Sequence, residues 1–170
     1  MIDIYKWGKE HEVIPGVLGI KASAMPDLKT SGKWFESLKI NILVEIGTCY
    51  GLSAAHFAQY VNTVHTFDVA NFKGRDKLWE DIGVADKICF HQIKNRNNIK
   101  RILRDIDFGF AFIDASHLVK DVRADWKIVK RCKRVLFHDV DEIRYPDNYG
   151  FLQEIGGKII YNNVGYWEKT

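Results

Sequence analysis

The stretch Asn41-Ile-Leu-Val-Glu-Ile-Gly-Thr-Cys-Tyr-Gly51-Leu-Ser53 constrains the fold more than any other part of this chain. Ile42 to Ile46 is an apolar run interrupted only by Glu45, the pattern of a strand buried on both faces. Gly47 permits a sharp turn at the strand end, and Gly51 lets a helix begin close to the sheet. A strand, glycine turn and helix in this order offer main-chain N–H groups and a positive helix terminus to a ligand. The spacing is E-x-G-x-x-x-G rather than the G-x-G-x-x-G of dinucleotide sites, which points to a different nucleotide-like ligand.

After residue 40 the chain alternates strand and helix. The pattern predicts strands at Ile42–Ile46, Thr63–Phe67, Ile88–His91, Phe108–Ile113 and Arg134–His138. Helices are predicted between them at Leu52–Tyr60, Asp76–Ile82, Asn97–Asp105 and Val119–Arg131. Short apolar runs separated by amphipathic segments imply parallel strands with helical crossovers on both faces. Lys158–Tyr161 and Gly165–Glu168 flank Asn162-Asn163-Val164 and read as a β-hairpin. The expected fold is therefore α/β: a Rossmann-like, doubly wound, seven-stranded sheet of five parallel strands and a C-terminal antiparallel hairpin. Trp34–Lys39 reads as a helix before the first strand. Ile14–Ile20 and Ala24–Pro26 read as a loop-like segment that either closes over the ligand or packs as an arm.

At 170 residues one domain is expected, divided into an N-terminal arm (1–40), a core (41–142) and a short C-terminal helix and hairpin (143–170). With 46% hydrophobic and 13% aromatic residues the chain is an ordinary globular one. A net charge of +3 gives no argument for nucleic acid. The basic clusters at Lys94–Arg104 and Lys127–Arg134 have helical spacing and read as solvated faces. Three cysteines with no C-x-x-C pair argue against a disulfide scaffold or structural zinc. Cys49 in the ligand turn reads as a small wall residue rather than a nucleophile. No apolar run reaches transmembrane length and the N-terminus lacks a signal-peptide pattern, so a soluble cytoplasmic protein without membrane contact is expected.

In open α/β sheets, ligands sit at the carboxyl ends of the strands near the point where strand order reverses. Four segments fall there. The first is the Glu45–Gly51 turn. The second ends in Phe67-Asp68-Val69, where a carboxylate suits a ribose diol or caps the following segment. The third, Phe112-Ile-Asp-Ala-Ser-His117, sets Asp114 and His117 three apart. A carboxylate there suits a metal, a sulfonium or a helix cap, and a histidine suits proton abstraction from a hydroxyl. The fourth is Phe137-His-Asp-Val-Asp-Glu142. Asp139 and Asp141 alternate along an extended chain and, with Asp114, would bring three carboxylates to one point, a set suited to Mg²⁺. The other reading of Asp141 and Glu142 is solvated loop charge.

Together these segments resemble the class I S-adenosylmethionine-dependent methyltransferases, in particular the small-molecule O-methyltransferase-like group known as methyltransferase family 24. The similarity rests on V-E-I-G-T-x-x-G-x-S, F-D, F-I-D-x-x-H and F-H-D in that order, over roughly residues 40 to 142. The resemblance implies that Glu45 and the backbone of Gly47 and Gly51 hold the methionine and ribose part of S-adenosylmethionine. Thr48 and Ser53 fall in the same set. It implies that Asp68 binds the ribose hydroxyls with Val69 beside the adenine, and that Asp114 faces the methionine end or a metal. His117 stands where related catechol-type enzymes carry the base that removes the acceptor proton, and Asp139 where they hold Mg²⁺. The next residue, typically an amide ligand, is Val140 here, so a complete metal site needs Asp141 as a substitute. The loop carries Asp114-Ala-Ser-His117 instead of D-G-D-H, and Arg131-Cys-Lys133 replaces the usual proline-glycine turn.

The expected reaction is methyl transfer to the oxygen of a small hydroxylated acceptor. The segment after the fifth strand is short, which implies a small acceptor, an open site, or a site completed by a second subunit in a homo-oligomer. A nicotinamide-dependent oxidoreductase is disfavoured by the glycine spacing, and a nucleic-acid methyltransferase by the absence of N-P-P-Y and Pro-Cys motifs. A non-catalytic protein on the same fold remains the alternative.

Overall fold

The computed structural model describes residues 31–170 together with Ile4 and Leu28. Most of the N-terminal arm, including the 14–20 and 24–26 segments, lies outside the described residues. Helix α1 (Gly32–Leu38) precedes β1 (Ile42–Ile46), α2 (Leu52–Ala58), β2 (Thr63–Asp68), α3 (Arg75–Ile82), β3 (Ile88–Gln92), α4 (Arg96–Leu103) and β4 (Phe110–Ile113). Then follow α5 (Val119–Val129), β5 (Arg134–Phe137), α6 (Pro146–Glu154), β6 (Lys158–Tyr161) and β7 (Val164–Glu168).

One seven-stranded sheet runs in the order β3-β2-β1-β4-β5-β7-β6. The first five strands are parallel, and β7 pairs antiparallel with both β5 and β6. The hairpin expected at the C-terminus thus inserts its second strand beside β5 and leaves β6 at the edge. Side chains alternate across β1. Leu43 joins a core formed with Phe35, Phe57, Leu78 and Phe112, and Val44 and Ile46 join one formed with Phe67, Ile99, Trp126 and Phe137. Each large apolar side chain buried in this way stabilises the fold by roughly 1.5–3 kcal/mol.

Local chemistry sets the helix ends. A capping box of Asn95 and Asn98 starts α4, Pro146 starts α6, and left-handed glycines flank α3. Strand β4 begins at Phe110, two residues later than the apolar run suggests. Phe108 is buried beneath the Arg131 guanidinium, 4.8 Å from its ring centre, instead of joining the sheet. Among the described residues no helix is long and apolar enough to cross a membrane. The chain passes outward through β2 and β3, then crosses back beyond β1 to β4. The strand order therefore reverses between β1 and β4, and a crevice opens at their carboxyl ends.

Candidate functional site

That crevice is a cleft of about 990 Å³, lined by the turn after β1 and by residues following β2, β3, β4 and β5. Its first half is made mainly of backbone. Gly47 has φ +106°, and its N–H donates to Phe67 O at 2.8 Å. A Cβ at Gly47 would lie 2.3 Å from Asp114 O, so this glycine lets the β1 turn touch the end of β4. Gly51 meets α3 in the same way: a Cβ would lie 2.7 Å from Trp79 Nε1, whose N–H donates to Gly51 O at 2.9 Å. Cys49 is held at φ 46°, an uncommon conformation for a residue with a side chain. Asp68 braces it. One carboxylate oxygen accepts from Cys49 N at 2.7 Å and the other from Ala70 N at 2.9 Å. Each oxygen keeps a lone pair for a further donor, so the donor chemistry fits a diol. Burial pushes the Cys49 thiol up to about 11, which suits a wall residue and not a thiolate.

Glu45 does not line the cleft. Its side chain points beneath α2, is fully buried, and accepts from Thr66 Oγ1, which in turn lies 2.6 Å from Thr48 Oγ1. Burial raises the Glu45 carboxyl to about 8 against the opposing effect of the Ser53 and Thr66 hydroxyls. Thr48, Ser53 and Val69 line the cleft, and Val69 is largely exposed.

The second half is a network of titratable side chains. His138 Nδ1 lies 3.1 Å from Asp114 Oδ1 and 3.3 Å from Asp139 Oδ1. The other Asp139 oxygen contacts His117 Nδ1. Burial raises the Asp114 carboxyl, opposed by His138. Burial also acts to raise Asp139, but His138 and His117 outweigh it and hold that carboxyl below its ordinary value. Asp139 has φ 56°, held by Asn148 Nδ2 donating to its carbonyl at 3.0 Å and Asn163 Nδ2 donating to its carboxylate at 3.3 Å. The His117 side chain is 68% exposed and stacks on Tyr145, with ring centres 5.5 Å apart. Its Nε2 edge is thus the half of the ring left for a ligand.

Asp114, His117 and Asp139 therefore meet as the sequence suggests, whereas Asp141 does not join them. Asp141 Oδ1 accepts from Ile143 N at 3.0 Å and Arg144 N at 2.7 Å, closing a local turn. Among the described residues the group able to hold a metal is Asp114, His138 and Asp139. One imidazole in place of a third carboxylate makes a poor match for the all-oxygen shell of Mg²⁺ and suits a borderline cation such as Zn²⁺ or Fe²⁺. Sequence reasoning missed Thr66, His138, Asn148 and Asn163. His138 is adjacent to Asp139 and could have been found from the F-H-D segment. Asn148 and Asn163 carry no sequence signal, because their partners are distant in the chain.

A methyltransferase-domain family model matches residues 44–140. No curated protein matches the sequence. Solved structures share the fold. The O-methyltransferase TomG of Streptomyces achromogenes, involved in tomaymycin synthesis and solved with SAM, is 15% identical with a TM-score of 0.67, over 98% of this chain and 89% of that one. An O-methyltransferase from Bacillus cereus in complex with SAH is 13% identical with a TM-score of 0.61, over 98% and 89%. An rRNA methylase from Streptococcus thermophilus is 13% identical with a TM-score of 0.58, over 82% and 93%.

Proposed function

Because the chain belongs to the class I S-adenosylmethionine-dependent methyltransferases of the family 24 type, matched over residues 44–140, we propose that it methylates the hydroxyl oxygen of a small acceptor. The observation that carries this reading is the His117–Asp139 contact at the end of the cleft opposite the Asp68-braced turn. S-adenosylmethionine, when bound, supplies a methyl group on a sulfonium sulfur that is electrophilic without further activation.

The residues fit that cosubstrate. Asp68 offers free lone pairs for ribose hydroxyls, Val69 an exposed apolar surface for a base, and Asp114 a carboxylate facing the cleft. Glu45 supports from behind: its bond from Thr66 and the Thr66–Thr48 contact fix the turn that Gly47 and Gly51 shape. At the other end Asp139 accepts from His117 Nδ1–H. This holds the tautomer in which Nε2 carries the lone pair and can take the acceptor's hydroxyl proton. Tyr145 keeps the ring in plane. Asp114, His138 and Asp139 are the residues that would hold a cation, which would supply Lewis-acid polarisation of a hydroxyl there. The exposed edge of His117 and the openness of the cleft beyond it favour a small acceptor that enters directly from solvent.

Calorimetry with S-adenosylmethionine, with NAD⁺ and Asp68→Ala as controls, tests the reading. Micromolar binding that Asp68→Ala weakens about tenfold or more supports it. A folded protein that binds neither S-adenosylmethionine nor S-adenosylhomocysteine is instead a non-catalytic member of the fold.

A further inference from the structure

Two choices in this sequence are locally unfavourable and are made together. Arg96 occupies the first position of α4, where a cation opposes the helix dipole. Asp125 is a carboxylate only 2% exposed, in the middle of α5 and among apolar neighbours. They meet. Arg96 Nε lies 2.6 Å from Asp125 Oδ1, and Nη2 donates to Asp125 Oδ2 at 3.2 Å. Nη1 lies 3.1 Å from Asp121 Oδ1, and Nη2 also reaches Asp121 O at 3.4 Å. The chain of contacts continues. Ser116 Oγ donates to Asp121 Oδ2 at 3.0 Å and accepts from Leu118 N at 3.2 Å. Ser116 lies between Asp114 and His117, and Arg96, Asp125 and Ser116 all line the cleft.

The pair joins a buried carboxylate to a guanidinium that is 38% exposed, and such a pair is a poor source of stability: solvent weakens the attraction, and matched apolar residues commonly serve as well or better. Breaking the local rules of helix composition without a stability gain is the mark of a positioning role. We propose that Arg96 is a positioning residue: through Asp125 and Asp121 it fixes the 114–117 loop relative to the 93–97 wall, and so sets the width of the cleft. The inference rests on the methyltransferase reading for the identity of the ligand, but the mechanical link stands on the contacts alone.

The test replaces the pair with apolar residues of similar size, Arg96→Met with Asp125→Leu. The expected protein melts at or above the wild-type temperature, binds S-adenosylhomocysteine at least about fivefold more weakly, and exchanges the amide protons of residues 115–118 about tenfold faster without ligand. Ser116→Ala, which cuts the link and leaves the ion pair intact, should speed the amides of residues 115–117 without lowering the melting temperature; Leu118, whose N–H donates to Ser116 Oγ, is left out of this comparison. Wild-type affinity and exchange in the double variant would make the pair merely structural and overturn the proposal. If the double variant does not fold, Ser116→Ala decides: unchanged exchange at 115–117 overturns it. A wild-type protein that binds no S-adenosylhomocysteine sinks the methyltransferase reading, and the ligand-free exchange still decides the link.

Discussion

The two halves of the cleft are built from different materials. The half formed by β1 and β2 is backbone, held by backbone and by one carboxylate: Gly47 N on Phe67 O, and Cys49 N and Ala70 N on the Asp68 side chain. The half formed by β4 and β5 is side chain held by side chain: Asp114, His138, Asp139 and His117 in a row, with Asn148 and Asn163 behind. Backbone geometry tolerates side-chain change but not an added atom. A titratable network tolerates small steric change but not loss of a charge or lone pair. Steric change at the glycines of the first half should therefore act through unfolding, and loss of a titratable group in the second through lost chemistry in a protein that stays folded.

Gly47→Ala gives the largest effect. With φ +106° and a Cβ only 2.3 Å from Asp114 O, the turn and the end of β4 must separate. A loss of at least about 3 kcal/mol in urea unfolding is expected; a change under about 1 kcal/mol breaks the comparison. His117→Ala comes next, with the opposite signature. Turnover of an identified acceptor should fall by roughly 10²–10⁴, with unfolding free energy within about 0.5 kcal/mol of wild type and unchanged cosubstrate affinity. Undiminished turnover removes His117 from the role of base.

Glu45 lies behind the backbone half and adds a pH dependence. Its folded-state carboxyl, near 8, lies above its ordinary 4.5, so the folded protein holds the proton more tightly than the unfolded chain. The stability it allows is fully present below about pH 4.5 and erodes as pH rises through 8. Glu45→Gln cannot ionise, so at pH 8 it should be more stable than wild type by about 4 kcal/mol, with a difference under about 1 kcal/mol at pH 5. Parallel stability curves across that range would show that Glu45 is charged in the fold. Asp141→Asn is the smallest. Because Asp141 only closes the 141–144 turn, the change should cost under about 1 kcal/mol and leave cosubstrate binding and any response to added divalent cation untouched. A lost cation response would return Asp141 to the metal group.

Much of the fold was legible in the chain. Five parallel strands, their order along the sequence and the two bounding glycines follow from periodicity and turn chemistry, which act over a few residues. The C-terminal hairpin was legible as a hairpin, with Asn162 in the left-handed conformation at its turn, but not as an insertion beside β5. Strand pairing is chosen by long-range burial, which periodicity does not encode.

For the site, the sequence by itself determined which carboxylates and which histidine stand at the strand ends. Asp68 closes β2, Asp114 follows β4 directly, and His117 and Asp139 stand within four residues of the ends of β4 and β5, so the strand pattern places all four at one edge of the sheet. Only the tertiary structure decided how they are used. The left-handed turn at Asp139 breaks the alternation of an extended chain, so Asp141 swings into its own turn and His138 takes the place between the two carboxylates. The pleat of β1 turns Glu45 away from the cleft and under α2. Arg96, Asp121 and Asp125 were ordinary helix charges until the packing of α4 beside α5 brought them together. The physical reason is one of range: residue spacing fixes where a side chain leaves the backbone, and the packing of distant segments fixes what it meets.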